Sequence, residues 1–312
     1  MRAARLYTPA FSSFLPYTVS VQLLVNALIA GSFAALMAAG LSMVYGVLGV
    51  FNMALGQIAL AGGYGAWWLL MKAGLPFPFA VLGGAVIAAF VTWLSFELFV
   101  APFYKRHRFL PLVTTIALSM ILDGILLYLF KEDPKSISTG GKHLVSLGNA
   151  VMSLEQGVLV LITVVFLSAL AWILVGTPFG RRIRATVEHP SAAESLGINA
   201  PLLHRLVFIM SGVLAGFAGI YLGIDQNLTP VLGFAITIKA YAALIAGGKK
   251  SLWGTILCAY GIALLEQLSI GVPWFGGHYI AAGFQNTVAL LMIIVILLWK
   301  PEGIFGSRTR TA

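Results

Sequence analysis

The chain has 312 residues, of which 60% are hydrophobic and 9% are charged, and its mean hydropathy is +0.96. A soluble domain carries roughly 45–50% apolar and about 25% charged residues, so this composition excludes a soluble enzyme and indicates an integral membrane protein. The net charge of +9 fits the excess of Lys and Arg found in cytoplasmic loops of membrane proteins, and it does not indicate nucleic-acid binding.

The first apolar run extends from about residue 17 to residue 71 and is too long for one span, because about 18–20 residues cross the hydrocarbon core. It holds two crossings, or two crossings with a broken or re-entrant piece. Four glycines and two polar residues mark the expected break: Gly40, Gly46, Gly49, Gly56, Asn52 and Gln57. Further apolar runs lie at about 77–101, 110–130, 155–176, 203–224, 232–248, 251–270 and 279–299. We therefore expect an all-α, polytopic membrane protein with eight to ten transmembrane helices.

Three basic clusters orient the chain, because Lys and Arg are concentrated in cytoplasmic loops. The clusters are Lys105, Arg106, His107 and Arg108; Arg181, Arg182 and Arg184; and Lys300, Arg308 and Arg310. The polar loop at about 131–154 is then external, and the loop at about 177–204 is cytoplasmic. Arg2 and Arg5 favour a cytoplasmic N-terminus, whereas three visible apolar runs before Lys105 favour an external one. Both alternatives stay open.

The run at 203–224 contains a stripe of glycines on one helix face, because their spacings are four, three and four residues. The glycines are Gly212, Gly216, Gly219 and Gly223. Small residues in such a stripe let a neighbouring helix approach closely, so we expect helix packing here. The alternative is that the stripe lines a path for a solute.

Ionisable residues at membrane depth are costly and indicate functional sites. Glu97 lies near a helix end, where its carboxylate can reach the interface, while Lys239 and Glu266 lie in neighbouring runs and could pair. The candidates for a substrate pathway are two amides at the predicted break, a deep acidic residue and an acidic residue at a span end: Asn52, Gln57, Asp123 and Asp225.

No motif for catalysis or for nucleotide binding is found in the sequence. A phosphate-binding loop requires a spacing and a hydroxyl that the strings GGKH and GGKK lack, and the motifs H-E-x-x-H and G-x-S-x-G are missing. The single cysteine, Cys258, forms no intrachain disulfide and no zinc cluster. We expect no catalytic residue, no metal and no cofactor in this chain. Energy for uphill transport would come from an ion gradient or from another subunit.

The loop at 177–204 contains a short helix. Pro190 suits the first turn, residues 191–196 continue it, and Gly197 suits the position that ends it. Two helical turns are too short to be stable alone, so this helix docks on its own bundle or on a partner.

This loop, "GRRIRATVEHPSAAESLGIN", and the glycine-rich span "GVLAGFAGIYLG" resemble the permease subunits of branched-chain amino acid ABC importers. The resemblance continues in "GLSMVYGVLGVFNMALGQIALAGGY", "LIAGGKKSLWGTILCAYGIALLEQ" and "LLWKPEGIFG", so it covers most of the chain. Two departures stand out. The segment after Asn52 reads Ala54, Leu55, Gly56, Gln57 where similar permeases often carry His or Gln and an acidic residue, and Lys249 and Lys250 replace small residues.

The resemblance implies that residues 1–312 form a single permease domain of the bacterial inner membrane, which moves branched-chain or related amino acids by alternating access. It implies four kinds of partner: a second homologous permease, two cytoplasmic ATPase subunits that bind ATP and Mg²⁺, an external or periplasmic solute-binding protein, and the lipid bilayer. The expected coupling element at the ATPase consists of Glu188, Ala192, Ala193, Gly197 and Asn199.

The main alternative is an ion-gradient-driven secondary transporter of a small organic solute, with Asp123 or Glu266 as its proton or sodium site. An intramembrane enzyme and a structural scaffold are weaker alternatives. The five histidines are scattered along the sequence and form no catalytic motif. A structural scaffold does not explain the capped helix in the long internal loop.

Overall fold

The computed structural model describes residues 15–104, 109–137, 144–147, 150–249, 251–271, 284–300 and 302–306. These residues form eleven α-helices, one π-helical turn and one β-hairpin. The elements are α1 (Leu15–Leu48), α2 (Leu55–Met71), α3 (Phe77–Ser95), the π-helical turn (Phe96–Val100), α4 (Leu110–Phe130), β1 (Leu144–Leu147), β2 (Ala150–Ser153), α5 (Leu154–Gly176), α6 (Pro178–Glu188), α7 (Pro190–Ser195), α8 (Ala200–Asp225), α9 (Leu232–Gly247), α10 (Leu252–Gly271) and α11 (Gln285–Trp299).

Six helices are long and apolar enough to cross a membrane: α1, α3 with the π-helical turn, α4, α5, α8 and α10. Three further apolar helices, α2, α9 and α11, are shorter at 17, 16 and 15 residues. Within the described ranges, nine apolar helices thus confirm the all-α polytopic architecture predicted from the sequence. The hairpin, in which β1 and β2 pair antiparallel, was not predicted.

The two ends of the bundle differ in composition. We call the end that carries β1 and β2 the hairpin face, and the end that carries α6 and α7 the basic face. The described members of two basic clusters, the α6 arginines and Lys300, lie at the basic face, and Lys300 donates to Ile304 O at 2.9 Å beside the start of α10. The cluster at 105–108, together with Arg308 and Arg310, lies outside the described residues.

Helix α1 runs from the hairpin face to the basic face. Gln22, near its start, donates to Val151 O of β2 at 3.0 Å and accepts from Val151 N at 2.8 Å. Met43 and Val47, near its end, line a pocket together with α6. Three helices, α1 to α3, therefore separate the start of α1 from the segment 105–108, which favours the alternative with three crossings. Arg2 and Arg5 lie outside the described residues.

The glycine stripe of α8 faces other helices at close range. A Cβ atom at Gly219 would collide with the backbone carbonyl of Ala59 in α2, and one at Gly212 would collide with Thr92 in α3. Gly216 packs against Ala88 of α3, and Gly223 packs against Ile137. The α8 helix thus lies in the core between α2 and α3, because its glycines allow backbones to approach that side chains would separate.

Candidate functional site

The long first run breaks between α1 and α2. Gly49 ends α1 with a positive φ of 67°, which glycine adopts without steric cost, and its N–H donates to Tyr45 O at 2.9 Å. Asn52 Oδ1 accepts from Ala54 N at 3.1 Å and so turns the chain into α2. Of the glycines expected at the break, Gly40 and Gly46 lie inside the unbroken α1.

Polar side chains from two other helices hold this break in place. The Thr115 hydroxyl of α4 donates to Pro111 O at 2.7 Å and accepts from Met53 N at 3.2 Å. The Thr237 hydroxyl of α9 accepts from Gly56 N at 2.9 Å, so the first turn of α2 is bound to α9. We call Asn52, Gln57, Thr115, Asp123 and Thr237 the break cluster.

The predicted residues Asn52, Gln57 and Asp123 come together in the break cluster. Asn52 and Gln57 are fully buried, and the Asp123 carboxyl faces the Gln57 amide without regular hydrogen-bond geometry. The Gln57 amide also packs so closely on Gly233 that any side chain there would collide with it. Among the described residues, Asn52 Nδ2 has no hydrogen-bond partner. The cluster is closely packed, with little free space around its polar groups.

Asp225, the fourth predicted pathway residue, lies elsewhere, in a cavity of about 250 Å³ between α1, α8, α9 and α10. Seven of the lining residues are alanines, so we call it the alanine cavity: Ala30, Ala34, Ala235, Ala240, Ala243, Ala259 and Ala263. Ala30 and Ala34 in α1, and Ala259 and Ala263 in α10, are each four residues apart on one helix face, and α9 supplies the other three alanines. These three helices present methyl groups to the same space, and their small side chains leave it unfilled.

Charged and amide side chains line the alanine cavity as well. Lys239 Nζ lies 3.0 Å from Glu266 Oε1, which confirms the pairing expected from the sequence. Asp225 Oδ1 accepts from Gln156 Nε2 at 2.8 Å, which fixes the carboxylate at the hairpin face. Gln226 and Gln267 complete the polar lining. From the sequence, Lys239 and Glu266 were expected as an ion pair and Glu266 also as the ion site of the alternative carrier, but neither as the lining of a cavity. The signal that was missed is the set of alanines near Lys239 in α9 and near Glu266 in α10.

At the opposite end, α6 forms because Thr177 caps it and Pro178 occupies its first turn. It is amphipathic: Ile183 and Thr186 are buried, and the three arginines of the basic cluster are exposed. The Arg184 guanidinium donates to Leu174 O, the open carbonyl end of α5. This contact fixes α6 on the bundle. Helix α6 was not predicted from the sequence, although Phe179, Ile183 and Val187 show the spacing of a helical face.

Helix α7 is the short helix that the sequence predicts, and Gly197 ends it with a φ of 80°. Gly197 N donates to Glu194 O at 3.0 Å and Ile198 N donates to Ala193 O at 3.0 Å, which closes the last turn. Asn199 Oδ1 then accepts from Leu202 N at 3.0 Å and caps α8. The expected coupling residues therefore lie in one continuous segment, with Glu188 exposed just before it.

The two sides of α7 differ in exposure. Ala193 is buried against the bundle, whereas Ala192 is exposed and Leu196 is 82% exposed. Leu196 therefore leaves an apolar side chain uncovered at the basic face, at the end of a helix too short to be stable alone. Arg205, one and a half turns into α8, pairs with Glu97 of the π-helical turn at 2.5 Å, so this segment is also connected to α3.

Residues 23–298 match the family model for the permease component of branched-chain amino acid transport systems. The chain belongs to this permease family. It is the membrane-spanning component of an ATP-driven ABC importer, and an ion-gradient-driven carrier is not supported.

The permease is 29% identical over 300 residues to BraD of Pseudomonas aeruginosa, a high-affinity branched-chain amino acid transport permease, covering 92% of this chain and 95% of BraD. It is 30% identical over 298 residues to LivH of Methanocaldococcus jannaschii, a probable branched-chain amino acid transport permease, with 91% and 92% covered. A similar fold is found in PsaBC from Streptococcus pneumoniae in complex with Fab, at 18% identity, a TM-score of 0.50, and coverage of 94% of this chain and 97% of that one.

Proposed function

We propose that the permease forms one half of the membrane passage for branched-chain or closely related amino acids, with the alanine cavity as part of that passage. The cavity supports this proposal most directly, because it combines apolar walls with charged groups and reaches the hairpin face at Asp225 and Gln226. Binding sites for small molecules have this composition, with apolar walls and a few polar groups that orient the ligand. The transport functions of BraD and LivH agree with such a solute.

In this proposal the permease lies in the bacterial inner membrane, and its basic face is on the cytoplasmic side. The exposed side of α7, with Ala192 and Leu196, contacts one of two ATPase subunits, and the flanking residues Glu188, Gly197 and Asn199 complete the contact. Those subunits bind ATP and Mg²⁺, and this chain performs no chemistry. A second, homologous permease completes the passage, and an external solute-binding protein docks on the hairpin face. Residues 1–312 then act as one permease domain.

We infer that the break cluster positions α2 and does not line the passage. Asn52, Gln57 and Asp123 are predicted from the sequence to contact the solute, and this stays a prediction. The full burial of Asn52 and Gln57, and the close contact of Gln57 with Gly233 of α9, favour a role in positioning α2. Asp225 is the predicted pathway residue whose position favours a direct solute contact, because it lines the alanine cavity.

Purification of the assembled importer with Leu196→Glu tests the coupling contact. A glutamate at this exposed site leaves the fold intact and weakens ATPase binding, so we expect at least a tenfold loss of co-purified ATPase subunits and of ATP-driven leucine uptake. Leu144→Glu is the matched control for assembly, because Leu144 is 70% exposed at the hairpin face and should retain the ATPase subunits. If Leu196→Glu binds and couples normally, α7 is not the coupling element.

A further inference from the structure

The Lys239–Glu266 pair faces the alanine cavity. We propose that this pair binds the two charged groups of a zwitterionic α-amino acid, with Lys239 at the solute carboxylate and Glu266 at the solute ammonium. The inference rests on the proposed passage and assigns to it the part of the solute that is recognised. The Lys239 side chain is 31% exposed and the Glu266 side chain 7% exposed. A solute in the cavity therefore reaches the Lys239 ammonium group more easily than the Glu266 carboxylate.

The helix geometry explains why the pair lies within the membrane rather than at its edge. Lys239 lies eight residues before the end of α9, which places its Cα about 12 Å from the basic face. Helices α9 and α10 run in opposite directions, and side chains in helices lean toward the N-terminus of their own helix. The Lys239 side chain therefore leans toward the hairpin face and the Glu266 side chain toward the basic face, and they meet between the two.

A purely structural role explains this ion pair poorly. Two charges at membrane depth lose their hydration, and replacing a buried ion pair with apolar residues of similar size is often neutral or stabilising. Helix packing alone is achieved elsewhere in the described bundle with glycine and alanine, for example where α8 meets α2. A pair exposed to a cavity, however, can exchange one partner for a ligand.

A zwitterion is the ligand class that fits this exchange. When it inserts between Lys239 and Glu266, each protein charge gains a new opposite charge as it loses the old one. A solute with only an ammonium or only a carboxylate group leaves one buried charge without a partner, which is strongly unfavourable. The pair therefore selects amino acids over amines and over carboxylic acids.

The remaining walls fit an aliphatic side chain of moderate size. Ala34, Met37, Ile236 and Ala259 supply apolar surface, and the volume of about 250 Å³ is slightly below the 300–1,000 Å³ typical of sites for drug-sized ligands. Asp225 lies at the hairpin-face end of the same cavity, where its carboxylate meets an entering ammonium group first.

The test replaces both charges at once, as K239M/E266M, so that no buried charge is left unpaired. The assembled complex should retain its thermal stability and its ATPase subunits, whereas ATP-driven leucine uptake should fall about 100-fold. The second variant, K239Q/E266Q, keeps polar side chains and serves where the methionine pair does not assemble. Uptake at the wild-type rate in either variant would overturn the inference. The inference would also be overturned if the single variant K239M lost stability and uptake and the double variant K239M/E266M recovered both.

Direct titration of the purified complex, without binding protein, separates this inference from the proposed function. The wild type should bind leucine at least tenfold more tightly than isopentylamine or 4-methylpentanoate, and K239M/E266M should lose that preference. A wild-type importer that carries no branched-chain amino acid contradicts the proposed function itself. An importer that carries leucine but binds all three compounds equally contradicts only the role of the ion pair.

Discussion

The break cluster and the alanine cavity both place polar side chains inside the membrane, yet they differ in packing. In the break cluster, Gln57 and Thr237 are fully buried and pack against backbone, whereas Lys239 is partly exposed to a cavity. Helix α9 belongs to both regions. Residues 233 and 237 face α2, and residues 235, 239 and 243 face the cavity, because two positions along a helix differ by about 200°.

This difference shows that a polar residue at membrane depth does not by itself mark a solute contact. Its neighbours decide the role: glycine and backbone carbonyls indicate a positioning contact, and a row of alanines indicates space for a ligand. Because α9 contacts both regions, a movement of α2 transmitted through Thr237 would also move Lys239. If the two regions are distinct, substitutions in the break cluster should affect stability, and substitutions in the alanine cavity should affect uptake.

The largest expected effect is on folding, at Gly56 in the break cluster. A Cβ atom there would collide with Gly233 O and with the Thr237 hydroxyl, and the backbone carbonyl cannot move without displacing α9. We expect Gly56→Ala to lower the free energy of unfolding by about 3 kcal/mol, measured by thermal unfolding in detergent. Gly46→Ala is the matched control, since a Cβ atom at Gly46 meets no described atom within 4 Å. Equal stability of the two variants would show that the region is loosely packed.

Filling the alanine cavity should reduce uptake without lowering stability. Ala263→Leu places a larger apolar side chain into the alanine cavity, so we expect unchanged or higher stability and at least a tenfold loss of ATP-driven leucine uptake. Ala169→Leu is the matched control, because Ala169 of α5 is exposed on the outside of the bundle and should leave uptake unchanged. Normal uptake by Ala263→Leu would exclude this cavity from the passage.

A smaller effect is expected at Thr115. Thr115→Val leaves Met53 N without its side-chain acceptor, so we expect a loss of about 1–2 kcal/mol in the free energy of unfolding. The control is Thr163→Val in α5, because the Thr163 hydroxyl donates only to Leu159 O of its own helix. Thermal unfolding of the two variants should show the larger loss for Thr115→Val. A larger loss for Thr163→Val would mean that Thr115 does not hold the break.

The smallest expected effect is at Gln57, where a positioning role and a solute contact predict different kinetics. Gln57→Leu conserves side-chain volume, so we expect the KM for leucine to change less than threefold in proteoliposome uptake. Asp225→Asn, which keeps an acceptor for Gln156, should raise that KM about tenfold, because the charge facing the cavity is lost. A tenfold rise in KM for Gln57→Leu would indicate that the break cluster contacts the solute.

Much of the fold can be predicted from the sequence, because membrane helices require long apolar runs and the turns that end α1 and α7 require glycine. The break at Gly49 and the end of α7 at Gly197 both have positive φ values, which is why glycine predicts them. Gly40 and Gly46 do not break α1. A Cβ atom at Gly40 would meet Ser211 O of α8, so Gly40 is a packing contact, whereas one at Gly46 meets no described atom within 4 Å. The amphipathic helix α6 was missed because three arginines interrupt its apolar residues.

The candidate site was harder to predict than the fold. A sequence shows that alanines and glycines are small, but not whether two helices close over them or leave a space. Gly219 marks a close contact with Ala59, whereas Ala34 and Ala263, which are similarly small, border a cavity. That distinction depends on how four helices pack together. The same limit explains why Asp225 could not be separated from Asn52 and Gln57 before the structure.

The claim that the alanine cavity belongs to the passage is tested most directly by thiol labelling at its wall. Since Cys258 is the single cysteine, Cys258→Ala gives a cysteine-free background for Ala34→Cys. A membrane-impermeant thiol reagent added at the hairpin face should modify Ala34→Cys and reduce ATP-driven leucine uptake at least tenfold. Excess leucine during turnover should slow the modification. Complete modification with uptake unchanged would contradict the account.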